Sequence, residues 1–292
     1  MTAAGPLLAA VLAASPAPAP VAPAPAAAAG PCVYDGRTGQ PASLDAALDR
    51  AARSQVVYAG EKHDDAAHHA LQARLIERLR AAAGFEMLYA SRQDALTRYV
   101  SGAEDAASFQ AEVDWRRTWG FPFSLYEPVF DAVRAGSRTA FALNVDKRVV
   151  DKVALSGLES LSSRERAEVP ADFQATADPA YLAMLRETFK AHGGDPSEPV
   201  AFGRFVDAMS LWNEGMAFHL AEAVHAAGGV PVVVAAGAFH AFDAGIPASL
   251  ARRVPGVRQT SFVFQTEAAC PARLAPDALT LGSDYVWVVT GR

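Results

Sequence analysis

Short runs of β-branched and aromatic residues alternate along this chain with longer stretches of helical period. The runs Gln55–Ala59, Gly84–Leu88, Thr139–Leu143, Val230–Ala235, Gln259–Phe264 and Tyr285–Val289 predict strands, and helical patterns fill most of the gaps between them. This alternation predicts βαβ units, hence an α/β fold with a mainly parallel sheet flanked by helices. From about residue 146 to about 215, charge, Pro and Gly signals come without a strand, which predicts a helical insertion. Ligands of such sheets bind outside the carboxyl ends of the strands, so the strand-to-helix joints are where chemistry is expected.

One joint is dense in titratable groups. "VVYAGEKHDDAAHHALQARLIERL", Val56 to Leu79, reads as a strand broken by Gly60, a polar turn and an amphipathic helix that Asp64 or Asp65 can cap. Leu71, Leu75, Leu79 and Ala82 predict the apolar stripe, with His68 at its centre, Gln72 beside it and His69 at its edge. His68 is thus expected to point toward Glu61 and His63. Polar groups converging at an inward-facing helix start are costly unless they bind a ligand or each other.

The arrangement recurs in "VVVAAGAFHAFDAGIP", where a strand is followed by Gly237, His240 and Asp243. Two strands ending in Gly-x-x-His predict two imidazoles at one edge of the sheet. Glu86 and Asn144, near the ends of two other strands, are plausible members of the same rim.

The segment "VDWRRTWGFPFSLYEP" sets Trp115, Trp119, Phe121, Phe123 and Tyr126 around Arg116 and Arg117. Rings with paired cations suit a flat apolar ligand bearing acid groups; for the rings alone, core packing is the simpler reading. Tyr89 and Tyr126 are the tyrosines nearest the rim, and a phenolate can ligate haem iron.

Composition narrows the class. With 51% apolar and 20% charged residues, the chain can bury a large core. A net charge of −6 and the lack of a long basic block argue against a nucleic-acid partner. "GPLLAAVLAAS" followed by an Ala/Pro tract predicts an export signal and linker over residues 1–31, although no Lys or Arg precedes the apolar run. Residues 32–292 are then expected to form a single α/β domain carrying the insertion. Cys32 follows Pro31, a poor neighbour for a lipid-attachment cysteine. With Cys270 it forms either one disulfide or two unpaired thiols.

The strings "GEKHDDAAHHALQ", "FEMLYASRQ", "DWRRTWGFPFSLYEPVF", "ALNVDKRVV", "RFVDAMSLWNEGMA" and "GAFHAFDAGIP" together resemble the ChaN-like haem-binding uptake proteins of the Tiki/TraB/erythromycin-esterase superfamily, over about Gln55 to Leu250. The resemblance implies an exported α/β protein of the periplasm or outer membrane, haem binding tied to iron uptake, ligation by tyrosine and two haems stacked across a homodimer. An outer-membrane uptake apparatus is the implied partner. Glu61, His63, Asp64, His68, His69 and Gln72 match the first motif, Glu86 and Asn144 the next strands, and Gly237, His240, Asp243 and Gly245 the last. Met209 and Asn213 depart from the expected Gln and Asp, and Ala238 and Phe239 stand where small polar residues are usual.

For haem, the candidate contacts are Glu61, His63, His68, His69, Glu86, Tyr89, Arg116, Arg117, Tyr126, Asn144, His240 and Asp243. The alternative is a metal-dependent hydrolase. There His63 and His240 would hold a divalent ion such as zinc or manganese, and Glu61 or Glu86 would be general base to a bound water.

Overall fold

Two strands that the pattern did not predict open the fold: β1 (Cys32–Asp35) and β2 (Pro41–Ala42). They are too short for alternation to be legible. The expected strands follow as β3 (Val56–Glu61), β4 (Ala82–Tyr89), β5 (Ala140–Asn144), β6 (Val232–Gly237), β7 (Gln259–Glu267) and β8 (Tyr285–Thr290). This computed structural model describes residues 32–275 and 282–291. The predicted export signal and linker over residues 1–31 lie outside the described residues.

The eight strands form one sheet in the order β2-β1-β8-β7-β3-β6-β4-β5. All pairs from β8 to β5 are parallel, and β1 pairs antiparallel with both β2 and β8. The mainly parallel α/β fold expected from the pattern is therefore the one formed. Central β3 and β6 are buried at every position, which is why "VVYAGE" and "VVVAAG" read as continuous apolar runs. Strand β6, late in the chain, lies between β3 and β4, so the two Gly-x-x-His joints become neighbours.

The described residues fall into two compact units. One contains the sheet, with a core that includes Val57, Phe85, Leu88, Tyr99, Phe109, Trp115, Phe123 and Phe130. Phe123 stacks on Phe130 at 5.4 Å and Trp115 packs edge-on against Phe123 at 5.0 Å, so much of the aromatic segment is core, as the simpler reading of its rings held. The other unit, Val145–Gly215, is helical, with a core of Val145, Val149, Val150, Val153, Val169, Ala208 and Leu211. Inside it, Asn213 Nδ2 donates to the Tyr181 hydroxyl at 2.9 Å, a structural use for the residue that replaces the expected carboxylate.

Cys32 and Cys270 are joined by a disulfide, their Cα atoms 5.9 Å apart across 238 residues. The bond ties β1 to the segment after β7. Closing so long a loop restricts the unfolded chain, so reduction should lower stability by about 2–4 kcal/mol. Urea titration with and without dithiothreitol measures this, and coincident midpoints would refute it.

Candidate functional site

Glu61 ends β3 and pairs in register with Gly237, which ends β6. Its side chain is fully buried. Glu61 Oε1 accepts from the Tyr126 hydroxyl at 2.8 Å and lies 2.9 Å from His63 Nδ1. Glu61 Oε2 is 2.9 Å from His69 Nε2, close enough for an ion pair. The angle there is poor, however, and neither that oxygen nor either His69 nitrogen makes a well-directed hydrogen bond. A second pair lies alongside. Glu86 Oε2 accepts from the Gly237 N–H at 2.6 Å, and Glu86 Oε1 is 3.3 Å from His240 Nε2. Asn144 Nδ2 donates to the Glu86 carbonyl at 2.8 Å, so the expected rim residues Glu86, Asn144 and His240 do converge.

The two glycines are reciprocal. A Cβ on Gly237 would lie 2.8 Å from His63 Cε1 of the first motif. A Cβ on Gly60 would lie 2.8 Å from Ala241 Cβ and 3.0 Å from Ala238 Cα of the second. Each joint leaves out a side chain so that the other can approach. The result is a string of two buried acids with their imidazoles, Glu61 with the partly exposed His63 and Glu86 with the buried His240, at the carboxyl edge of the sheet.

Electrostatics polarises the string. Burial pushes the Glu61 carboxyl up, but the His63 hydrogen bond and the close approach and charge of His69 and His63 outweigh it, leaving its pKa at about 2. Burial also opposes ionisation of Glu86, yet the charges of His240 and His63 and the Gly237 N–H hold it below the usual range. For His63, burial disfavours the cation; the Glu61 hydrogen bond and the Glu86 charge overcome this and raise its pKa. Two carboxyls held below their usual range thus face an imidazole whose protonation they favour.

Several expectations need correction. His69, not His68, faces Glu61. Asp65 caps the helix Ala66–Leu79 by accepting from Ala67 N, and the buried face runs through His68, His69, Gln72, Ala73, Leu75 and Ile76. Leu75 and His68 of the predicted stripe are buried too, Leu71 and Leu79 are partly buried against the core, and Ala82 already belongs to β4, so the buried face is wider than the stripe and takes in His69. His68 is a structural clip: its Nδ1 accepts from Lys62 N at 2.9 Å and its Nε2 lies 3.2 Å from Thr266 Oγ1.

Tyr126 cannot be an iron ligand. Its ring is fully buried and its hydroxyl is committed to Glu61; burial, then the Glu61 charge, push its pKa far above the usual value. Asp243 pairs with Arg37 at 2.7 Å, part of a different cluster that includes Arg50 and Asp284. Arg117 is exposed and bound to Asp114. Arg116 stands beside a cavity of about 510 Å3 lined by Trp115, Phe121 and Phe123. Trp119 was expected only as a ring, but it packs edge-on against His63 at 4.7 Å, and its buried Nε1 has no acceptor. As for the divalent ion, no group of three His, Cys, Asp or Glu side chains among the described residues is placed to hold one.

Over residues 47–250 the chain matches the family described as haem-binding uptake, Tiki superfamily, ChaN. No curated protein matches it. Among solved structures it is similar to one described as cofacial heme binding to ChaN of Campylobacter jejuni. That likeness has a TM-score of 0.66 and 15% identity, over 89% of this chain and 97% of the other. At that identity the likeness establishes the fold. An erythromycin esterase is more distant, with a TM-score of 0.43 and 14% identity over 76% of this chain and 72% of the other.

Proposed function

Since the chain belongs to the ChaN family of haem-binding uptake proteins in the Tiki superfamily, we propose that it binds haem and that Tyr89 is the iron ligand. The observation that carries the ligand is exposure. Tyr34, Tyr58, Tyr99, Tyr126 and Tyr181 are buried, which leaves Tyr89 and Tyr285 partly exposed. Tyr285 begins β8, whereas Tyr89 ends β4, at the carboxyl edge and three residues beyond Glu86.

The chain's donor set fits a haem. A phenol can ligate ferric iron, and His63 is paired with Glu61 and His240 with Glu86. The cavity beside Arg116 has aromatic walls and a cation that suits a carboxylate, although Tyr89 is not among its lining residues. Bound haem would supply the iron and the optical signature; the protein's part is to hold and shield it. In this reading haem is cargo for uptake outside the cytoplasm, and the Cys32–Cys270 disulfide supports an oxidising compartment. A disulfide-bonded Cys32 cannot also carry a thioether-linked lipid.

Hemin titration tests the assignment. Wild type should show a saturable Soret change with a high-spin ferric, tyrosinate component. Tyr89→Phe should lose that component, and Tyr126→Phe should keep it. A Tyr89→Phe spectrum identical to wild type would remove Tyr89 from the site.

A further inference from the structure

A larger cavity, about 900 Å3, opens along β5, the edge strand, and its whole lining belongs to the sheet-containing unit. That volume falls within the roughly 300–1,000 Å3 of small-molecule sites. The strand edge itself is sealed. Gln93 Nε2 donates to Ala140 O at 2.9 Å and Gln93 Oε1 accepts from Ala142 N at 2.9 Å, so one side-chain amide stands in for a further strand. The space beside it suits a small molecule better than an added peptide strand.

Most of the lining is polar, and its charge runs against that of the chain. Two guanidiniums, Arg134 and Arg138, line it with a single acid, Glu222, although the net charge overall is −6. Neither arginine has an ion-pair partner among the described residues. Arg134 is fixed: its Nη1 donates to Tyr99 O at 2.9 Å and its guanidinium lies 4.7 Å from the centre of the Tyr99 ring.

Arg138 is seated by the end of the helix Phe123–Ala135. Gly136 there has φ −86°, a conformation open to any residue, so its backbone does not require glycine. Its missing side chain does matter, because a Cβ would lie 2.5 Å from Arg138 Nε and 2.9 Å from Cζ. The guanidinium rests in that space. Its Nε is buried without an acceptor, while its terminal nitrogens make no hydrogen bond among the described residues and stay open to a ligand. Ser137, at φ 49°, takes the left-handed position that glycine usually fills after a helix, and so adds a hydroxyl to the cavity. Thr139 adds another.

We propose that this cavity binds a small phosphate ester of a polyol, with Arg138, Arg134 and the Ser137 and Thr139 hydroxyls on the phosphoryl group and His219 and Glu222 on the polyol. A phosphoryl group presents three strong acceptor oxygens, which suits two guanidiniums and two hydroxyls; a carboxylate presents two in one plane. Glu222 accepts from a hydroxyl, and burial lowers the pKa of His219, so that its ring can both donate and accept. Two guanidiniums in an acidic chain are too few to follow a nucleic-acid backbone. The lining excludes Tyr89 and the Glu61 and Glu86 pairs, so the proposal does not rest on the haem reading.

The experiment is calorimetric titration of the full chain, at fixed ionic strength, with glucose 6-phosphate, glucose, glucuronate and inorganic phosphate. Glucose 6-phosphate should bind at one equivalent, at least about tenfold more tightly than the other three. Arg138→Ala should weaken it by about 10- to 100-fold. Arg138→Lys should recover only part of this, since an ammonium lacks the planar fork, and it carries the test if the alanine variant does not fold. Gly136→Ala keeps the cation but fills its seat, so it should weaken binding severalfold at an unchanged melting temperature, which a merely structural role for Arg138 would not produce. Tyr89→Phe should bind as wild type does. No saturable binding of glucose 6-phosphate overturns the proposal, as does binding that the Arg138 and Gly136 variants all leave unchanged. Glucuronate or inorganic phosphate binding as tightly as the ester overturns it too.

Discussion

Glu61→Gln should cost about 3–5 kcal/mol of stability at neutral pH, the loss expected when one partner of a buried ion pair is removed. The variant has the same shape, so the loss is electrostatic. The carboxylate accepts from Tyr126 and faces His63 at one oxygen, and faces His69 at the other. A Gln amide must aim its NH2 group at one of these sides, where it meets another donor, and it removes the negative charge that favours protonation of His63. Water cannot make good the loss, because the carboxylate is fully buried. For a domain of this size the melting temperature should fall by about 6–20 °C. Tyr126→Phe removes one hydrogen bond to the same charge and should cost less, about 1.5–3 kcal/mol. A Glu61→Gln protein within about 1 kcal/mol of wild type would mean that Glu61 is a neutral acid in the fold, which an amide imitates well.

Acid should unfold the protein along a steep limb that begins near pH 4.5, the ordinary value for Glu61 and Glu86. Both carboxyls bind protons more weakly in the fold than in the unfolded chain. Their contribution is therefore complete above pH 4.5 and is lost as pH falls through the folded values, about 2 for Glu61. Each can contribute a slope of up to about 1.4 kcal/mol per pH unit. His63 acts in the opposite sense: with its folded pKa above 6.5, its contribution is whole below pH 6.5 and drains as pH rises through the raised value. Burial lowers the pKa of His68, so the contribution of that clip is whole above pH 6.5 and is lost on acidification. Stability should therefore peak near pH 6.5. Urea titrations from pH 2.5 to 8, on wild type and Glu61→Gln, check this. The variant should flatten the acid limb by about one proton and soften the fall above neutrality. Parallel limbs would show that the Glu61 carboxyl is not depressed.

The local signals in the chain were sufficient for six strands and for the two joints that carry Glu61, His63, Gly237 and His240. Strand runs, glycine breakers and helix caps are read within a few residues, so they survive in one dimension. Which joint meets which was decided by strand order: β6 enters between β3 and β4, bringing Gly237 opposite Glu61 and its N–H to Glu86, 151 residues away. Both His68 and His69 are buried, and which of them meets Glu61 was decided by the partners in space: Lys62 N and Thr266 hold His68, while His69 Nε2 lies 2.9 Å from Glu61. Tyr126 looked like a rim tyrosine until packing sealed its ring and gave its hydroxyl to a carboxylate 65 residues upstream. Asp243 looked like a site acid until Arg37, 206 residues earlier, claimed it. Periodicity and turn chemistry are properties of neighbours along the chain; burial, pairing and charge state are properties of neighbours in space, and only the folded sheet brings those together.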